Sequence, residues 1–268
     1  MLAPIVAIEF ALTLLGGTAP AAPVPVAAPL PVRDLLIARH GQTEWNRLGR
    51  SGGDPEINAQ GYEDRVSLLL ALRDVAVDEI FTSELRRTKL TAALVASVRG
   101  MTPIADGDLD ELRSGAFEGI CRRTLGATEL RPDEARCRDG EIDPAHPAIA
   151  WLREEYAKRD RDKFGFRPPG GESYADGLVR IDRFFARRGE LLRSRRVLIV
   201  AHGGTNRLLL ARAMGWPVER AVRIRQDNNW VFRVQRTARG PQLSIYRDGA
   251  WRPCSGLPDP KHGLECAR

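Results

Sequence analysis

The chain has 268 residues, 43% of them hydrophobic, and a formal net charge of +6. This length supports one large domain or two small ones with a sizeable core. Most of its cations are arginines, whose planar guanidinium groups suit phosphate ligands or simply cover a solvated face. No Lys/Arg block with interleaved aromatic residues indicates a nucleic-acid surface, so we expect no nucleic-acid partner.

The first 32 residues are predicted to form a leader and linker. Residues 1–17 are mostly apolar, as in a secretory signal peptide, but no Lys or Arg precedes this run and Glu9 interrupts it. The alternative is a disordered leader, or a start codon placed too far upstream. We therefore expect a cytoplasmic protein, or a secreted or periplasmic one if residues 1–21 are a signal peptide. The run is short for a membrane span, so no stable membrane association is expected.

Folded structure is predicted to begin with a buried central strand. Four apolar residues, 35–38, predict this strand, and Arg39, His40 and Gly41 follow it. The same pattern recurs at residues 197–201, which precede His202. Ligands bind at the carboxyl ends of such strands, so the two strands are expected to bring two imidazoles into one pocket.

The chain between these strands shows further helix, strand and loop signals. A polar, Gly-rich loop follows His40, and Asn58 is expected to cap the next helix. After a strand at residues 79–82, Ser83 is the expected N-cap of a helix whose first turn holds Arg86 and Arg87. Cations are disfavoured beside the positive end of the helix dipole, and a bound anion would remove that objection.

An acid-rich loop follows, and then a predicted insertion. Glu111 is the candidate acid of this loop, in competition with Asp110 and Glu118. Residues from about 120 to 170 are polar and irregular, and we expect them to form a cap over the site, with a helix at 150–158. A long amphipathic helix then leads to the second core strand.

The remaining residues are predicted to close the sheet. Residues 231–234 and 243–246 are expected to form an antiparallel pair, which ends a folded domain at 33–252, and residues 253–268 a loose tail. The cysteines are Cys121, Cys137, Cys254 and Cys266. Their spacing is not that of a metal site, and a Cys254–Cys266 disulfide is expected only in an oxidising compartment.

Several motifs recur in the order of one known family. They are Arg39-His40-Gly41, Asn46, Arg87, Glu111 and His202-Gly203. Together they resemble the histidine phosphatase superfamily, also called phosphoglycerate mutase-like, over roughly residues 33–247. The stretches at 49–54, 81–83 and 159–174 are most similar to the fructose-2,6-bisphosphatase domain of 6-phosphofructo-2-kinase/fructose-2,6-bisphosphatase.

The resemblance implies a fold and a set of roles. The fold class is α/β, a three-layer α/β/α sandwich with a mostly parallel central sheet and a cap insertion. His40 would be phosphorylated, while Arg39, Arg87 and His202 hold the phosphoryl group with help from Asn46 and the Gly52 backbone. Glu111 would be the proton donor. The positions that match those for a second phosphate are Arg159, Lys163 and Arg207.

Three departures from the family's pattern leave the substrate open. Arg122 stands near the place of a substrate-contacting Tyr, and Gly203 stands in place of the Gln that normally follows the second His. The predicted cap is also longer than the family's. The chemistry itself rests on residues that are all present.

The function these motifs imply is hydrolysis of phosphomonoesters through a phosphohistidine. The partner is a small phosphorylated metabolite, with a sugar bisphosphate such as fructose 2,6-bisphosphate as the leading candidate. No metal or other cofactor is required, because Arg and His neutralise the phosphate charge. One alternative is a phosphoglycerate mutase, and another is a non-catalytic protein that binds phosphorylated ligands. The oligomeric state is not predicted.

Overall fold

A single mixed sheet organises the part of the chain that the structure describes. The structure is a computed structural model, and it describes residues 32–126, 146–259 and 263–267. Nearly all of the predicted leader and the middle of the predicted cap lie outside these residues. The strands are β1 Asp34–Arg39, β2 Glu79–Thr82, β3 Ile104–Ala105, β4 Arg196–Ala201, β5 Val231–Thr237, β6 Gly240–Arg247, β7 Ala250–Asp259 and β8 Gly263–Cys266. Their order across the sheet is β3-β2-β4-β1-β5-β6-β7-β8.

The parallel half of the sheet contains β3, β2, β4 and β1. Every residue of β1 is buried, as its apolar run predicts. Because successive side chains of a strand point to opposite faces, Leu35 and Ile37 pack into one core, and Leu36 and Ala38 pack into another. A strand covered on both faces has to lie in the middle of three layers.

Helices form the two outer layers. They are α1 Glu44–Arg47, α2 Ala59–Leu72, α3 Arg86–Arg99, α4 Pro147–Arg161, α5 Tyr174–Ser194, α6 Gly203–Met214 and α7 Val218–Ala221. Leu72 of α2 and Val95 of α3 share the core of Leu36. Phe184 of α5 and Leu208 of α6 share the core of Leu35. The predicted three-layer α/β/α architecture is confirmed.

The antiparallel half of the sheet is larger than the sequence indicates. β5 and β6 are the predicted closing pair, but β7 and β8 continue the sheet through residues expected to form a loose tail. Pro253 and Gly256 argue locally against a strand. Pairing of Leu243 with Cys254 and the Cys254–Cys266 disulfide override that local preference. The sheet is therefore half parallel and half antiparallel rather than mostly parallel.

The described part of the predicted cap packs through a small core of its own. α4 confirms the helix expected at 150–158 and extends it to Pro147–Arg161. Ile149, Leu152 and Tyr156 of this helix bury against Phe117 and Leu125, which follow the acid-rich loop. α4 is thereby attached beside the carboxyl edge of the parallel strands. No helix among the described residues is both long and apolar enough to cross a membrane.

Candidate active site

The two histidines predicted to share a pocket lie side by side. β1 and β4 pair in parallel with Arg39 opposite Ala201, so His40 and His202 leave the sheet at the same edge. Their ring centroids are 5.2 Å apart and their planes are inclined by 54°. His40 is 3% exposed and His202 is fully buried. The sheet topology thus joins two imidazoles that are far apart in the chain.

The surroundings of His40 define which ring nitrogen is basic. Nδ1 lies 2.8 Å from the carbonyl oxygen of Gly41. A carbonyl only accepts, so Nδ1 carries the proton and the lone pair of the neutral ring is on Nε2. The N–H of Gly41 donates to Thr91 Oγ1 at 2.8 Å, and a Cβ at position 41 would lie 2.5 Å from the oxygen of Gly61. Glycine is therefore required where this loop crosses α2.

His202 has one bonded ring nitrogen and one without a partner. Its Nε2 lies 2.8 Å from Ser83 Oγ, and its Nδ1 has no hydrogen-bond partner among the described residues. Burial lowers the pKa of His202 well below 6.5, and the nearby Arg87, His40 and Arg39 lower it further. The ring is therefore neutral at physiological pH. It lies next to His40 but does not line the cavity onto which His40 opens.

The prediction that Ser83 caps the helix after β2 is wrong, and the hydroxyl of Ser83 contacts His202 instead. The N-cap of α3 is Leu85, and no side chain caps that helix. Ser83 Oγ accepts from the N–H of Leu85 at 3.1 Å, which closes a local turn before the helix begins. Because the strand–helix turn is two residues longer than expected, the hydroxyl of Ser83 points to His202 instead.

Two nearly buried guanidinium groups flank the cavity beside His40. Arg39 is 8% exposed and Arg87 is 4% exposed, and both line the cavity. Arg39 Nη1 donates to the oxygen of Gln226 at 3.1 Å, and Arg87 Nη1 donates to the oxygen of Gly53 at 2.7 Å. Burial lowers the pKa of Arg87, which shows the cost of desolvating this cation. A bound phosphate dianion would offset that cost.

Arg86 and Arg87 have separate locations although they are neighbours. Arg86 is exposed and forms an ion pair with Glu56 on the surface. Arg87 points into the site, with Asp54 Oδ1 3.5 Å from its Nη1. The structure thus places Arg87, the arginine that the family spacing selects, at the same cavity as His40.

The Gly-rich loop supplies polar groups to the same cavity. Asn46 lines the cavity, and its Oδ1 accepts from the N–H of Thr43 at 3.2 Å as part of a capping box on α1. Gly52 also lines the cavity and has a φ of +81°, a conformation that suits glycine. The N–H of Gly53 donates to Glu118 Oε1 at 3.2 Å, which holds the loop in place.

The three candidate acids are separated by the structure. Glu111 lines the cavity, and its carboxylate accepts from the N–H groups of Gly204 at 3.2 Å and Thr205 at 3.3 Å. These N–H groups belong to the first turn of α6, where the helix dipole favours a negative charge. Asp110 and Glu118 line a neighbouring cavity and not that of His40. Of the three, Glu111 is therefore the acid within reach of a ligand at His40.

The cavity beside His40 has a volume of about 470 Å³ and a strongly cationic wall. Besides Arg39 and Arg87, the cationic residues of this wall are Arg50, Arg113, Arg122, Arg159, Lys163, Arg207, Arg223 and Arg225. Among the described residues of the wall, the acidic ones are Glu111, Asp160 and Glu172. This excess of positive charge suits a ligand with more than one anionic group.

The three cations predicted to hold a second phosphate all lie on this wall. Arg159 projects from α4, where its guanidinium lies 5.1 Å from the ring centroid of Tyr156 and donates to that side chain's hydroxyl. Lys163 follows α4. Arg207 projects from α6 and donates to the oxygen of Ile224 at 2.7 Å. Gly203 begins α6 and also lines the wall, without a side chain to reach a ligand.

A comparison with protein families identifies the scaffold. The family model described as the histidine phosphatase superfamily (branch 1) matches residues 35–147 and 139–249. The chain belongs to this superfamily. The predicted resemblance is confirmed, and this histidine phosphatase is an enzyme of the phosphatase class.

Relatives of this histidine phosphatase include mutases and bisphosphatases. A 2,3-bisphosphoglycerate-dependent phosphoglycerate mutase from Azorhizobium caulinodans is 33% identical over 187 residues, which are 66% of this chain and 80% of the mutase. The human 6-phosphofructo-2-kinase/fructose-2,6-bisphosphatase 4 is 30% identical over 181 residues, which are 67% of this chain and 32% of that larger protein.

Solved structures show the same fold. The alpha-ribazole phosphatase from Shigella flexneri superposes with a TM-score of 0.65 at 27% identity, covering 81% of this chain and 97% of its own. A mycobacterial glucosyl-3-phosphoglycerate phosphatase gives a TM-score of 0.58 at 25% identity, covering 76% of this chain and 90% of its own. The phosphatase scaffold is thus shared by proteins with different named substrates.

Sequence reasoning missed part of the cationic wall. Arg223 and Arg225 line the cavity and are exposed, while Ile224 between them is 1% exposed. The pattern Arg-Ile-Arg, an apolar residue between two cations, is the sequence signal for two cations on the same side of the chain. It does not say which face, because that depends on the bond from Arg207 to the oxygen of Ile224.

Proposed function

We propose that this histidine phosphatase hydrolyses phosphomonoesters of small metabolites through a phosphohistidine at His40. The observation that carries the proposal is the lone pair of His40 Nε2 beside a cavity flanked by two nearly buried guanidinium groups. A phosphate monoester carries almost two negative charges, so catalysis requires charge neutralisation and alignment of the nucleophile. Arg39 and Arg87 supply planar donor groups for this purpose.

In the first step, His40 Nε2 attacks phosphorus. The N–P bond forms while the bond from phosphorus to the ester oxygen breaks, and Glu111 gives its proton to that departing oxygen. Arg39, Arg87, Asn46 and the Gly52 backbone hold the transferring phosphoryl oxygens. Loss of one such donor typically raises the barrier by about 2.7–4 kcal/mol.

In the second step, water attacks the phosphohistidine. Glu111, now a carboxylate, takes a proton from this water while the N–P bond breaks, and inorganic phosphate leaves. His40 returns to its neutral form with its lone pair on Nε2. The products are the alcohol and inorganic phosphate, and Glu111 is protonated again for the next cycle. The residues present need no metal or cofactor for either step.

The substrate class that fits the wall is a sugar bisphosphate such as fructose 2,6-bisphosphate. Arg159, Lys163 and Arg207 lie on the same cavity as His40, so a second phosphate would meet a cation outside the reacting centre. The similarity to a fructose-2,6-bisphosphatase domain supports this choice.

A phosphoglycerate mutase is the second candidate, because a mutase is among the relatives at 33% identity. A mutase returns the phosphoryl group to a second hydroxyl instead of to water. Incubation with 3-phosphoglycerate separates the two functions. Free phosphate supports the phosphatase, whereas an isomer without free phosphate supports the mutase.

The experiment that tests the chemistry is covalent labelling of the full-length chain. A ³²P-labelled phosphoester should give acid-labile, alkali-stable label on the wild type and on His146→Ala, whose histidine is exposed at the start of α4. His40→Ala should give no label and no turnover across a panel of metabolite phosphoesters, while it keeps its fold. Label or full turnover in His40→Ala would overturn the proposal.

The disulfides favour export, which the sequence left open as the alternative to a cytoplasmic location. Cys254 and Cys266 are bonded to each other, and Cys121 is disulfide-bonded as well. Such bonds persist in oxidising compartments. N-terminal sequencing of the native protein tests this location, because export predicts a mature chain that starts after Ala21 and the cytoplasm predicts an uncleaved one.

A further inference from the structure

Behind His202 lies a chain of two buried hydroxyl groups. Ser83, Thr88 and His202 are all fully buried. His202 Nε2 lies 2.8 Å from Ser83 Oγ, which lies 2.9 Å from Thr88 Oγ1. Thr88 Oγ1 in turn lies 2.8 Å from the oxygen of Leu85. Neither hydroxyl has a part in the two steps described above.

The protons of this chain have one consistent arrangement. A carbonyl oxygen has no proton, so the contact with Leu85 requires that Thr88 donates its single proton there. Thr88 Oγ1 must then accept from Ser83, which uses the single proton of that hydroxyl. Ser83 Oγ is left as an acceptor, and it receives the N–H of Leu85 at 3.1 Å. The remaining contact, with His202, therefore requires a proton on Nε2.

The reverse arrangement is unfavourable. If Thr88 donated to Ser83, Ser83 could donate to His202 Nε2. Thr88 Oγ1 and the oxygen of Leu85 would then be two acceptors 2.8 Å apart at a partly buried position. A partly buried acceptor pair without a proton between the two oxygens loses a hydrogen bond and gains repulsion.

We propose that Thr88 and Ser83 are positioning residues that fix the tautomer of His202, with its proton on Nε2 and its lone pair on Nδ1. This lone pair lies on the ring nitrogen that has no partner among the described residues. The charged and titratable groups around the ring are Arg39 at the end of β1, His40 directly after it, Arg87 of α3 and Arg180 of α5. Nδ1 is therefore the atom of His202 that can take up a second proton when a phosphoryl dianion arrives, which lets the ring donate to a phosphoryl oxygen.

The tautomer is measured directly by NMR of the full-length protein labelled with ¹⁵N-histidine. Long-range ¹H–¹⁵N correlations distinguish a ring with its proton on Nε2 from one with its proton on Nδ1. In the substrate-free wild type, His202 should show the Nε2–H pattern. A wild-type Nδ1–H pattern would overturn the proposal.

Variants of Thr88 test the relay. Thr88→Val has nearly the same shape and no hydroxyl, so Ser83 becomes free to donate and the His202 tautomer should switch to Nδ1–H. Thr88→Ser keeps the hydroxyl and should retain the wild-type pattern. A Thr88→Val spectrum that still shows Nε2–H would overturn the role of Thr88. If Thr88→Val fails to fold, Ser83→Ala replaces it and should lose the single fixed pattern. A Ser83→Ala spectrum with an unchanged Nε2–H pattern would overturn the role of Ser83.

The proposal rests on the proposed function only for its effect on turnover. We expect Thr88→Val to lower kcat by at least about tenfold, and Thr88→Ser to keep it near the wild-type value, because only a His202 ring with its proton on Nε2 leaves Nδ1 as the atom that takes up a proton opposite the phosphoryl dianion. A switched tautomer with unchanged kcat would overturn the positioning role. Failure of the phosphohistidine proposal would appear instead as an unlabelled His40, whatever the tautomer of His202.

Discussion

Gly204→Ala should displace the proposed proton donor, Glu111, without replacing it. A Cβ at position 204 would lie 2.5 Å from Glu111 Oε1 and 3.1 Å from Leu112 Cδ1. Ordinary contacts begin at 3.4 Å, so the Glu111 carboxyl has to move by about 1 Å. The movement also weakens its hydrogen bonds from the N–H groups of Gly204 and Thr205.

The expected loss depends on the leaving group. A misplacement of about 1 Å costs roughly 100-fold, or about 2.7 kcal/mol of barrier. An alkyl phosphate such as β-glycerophosphate should show this loss in kcat/KM, because its alkoxide needs a proton to leave. p-Nitrophenyl phosphate should lose only a few-fold, because its phenolate is a weak base that leaves unprotonated.

Gly203→Ala is the matched control on the same turn of α6. A Cβ at position 203 would lie 3.7 Å from Arg39 Nε, which is an ordinary van der Waals contact. It should change kcat/KM only a few-fold, and equally for both substrates. If Gly204→Ala lost activity equally on the alkyl and the nitrophenyl ester, or lost none on the alkyl ester, the role of Glu111 as proton donor would be refuted.

Three further outcomes are expected. Arg159→Ala combined with Lys163→Ala should lower kcat/KM for fructose 2,6-bisphosphate by about 10- to 100-fold beyond any loss on p-nitrophenyl phosphate, because a hydrogen bond to a charged group contributes about 1.5–3 kcal/mol; equal losses would remove the second-phosphate site. The wild-type free energy of unfolding should fall as pH drops below 6.5, since the lowered pKa of His202 lets the unfolded chain take up a proton first. Urea unfolding at several pH values should show that the free energy of unfolding of His202→Asn falls less steeply with decreasing pH than that of the wild type. The same pH dependence in both proteins would contradict this assignment. Cys254→Ser should lower the free energy of unfolding in non-reducing buffer by about 2–4 kcal/mol, because it opens a cross-link between residues separated by 12 positions; an unchanged urea midpoint would speak against it.

Local pattern was enough to predict the elements that carry the site. The apolar run before His40 and its counterpart before His202 became the adjacent strands β1 and β4. The helix of the cap and the closing strand pair were also found, because each has a clear periodicity. Arg87 was separated from Arg86 by family spacing, and the structure gives the physical reason, since one lines the cavity and the other pairs with Glu56.

Features that depend on distant partners were predicted less well. The strand at Ala250–Asp259 contains prolines that disfavour it locally, and it forms because β6 and a disulfide provide partners. Ser83 is in a position typical of an N-cap, yet its hydroxyl binds a ring that lies 119 residues away in sequence. No window of neighbouring residues contains that information.

The sequence by itself determined the chemistry that is available: an ordered set of His, Arg and Glu at strand ends and in loops, on a scaffold set by buried apolar runs. The tertiary structure decided which of these groups meet. It placed Glu111 rather than Asp110 on the wall of the His40 cavity, added Arg223 to that wall, and set the ring of His202 beside His40 but off the wall. The physical reason is that periodicity specifies which face of an element is buried, whereas hydrogen bonds and packing between distant elements specify where each polar atom points.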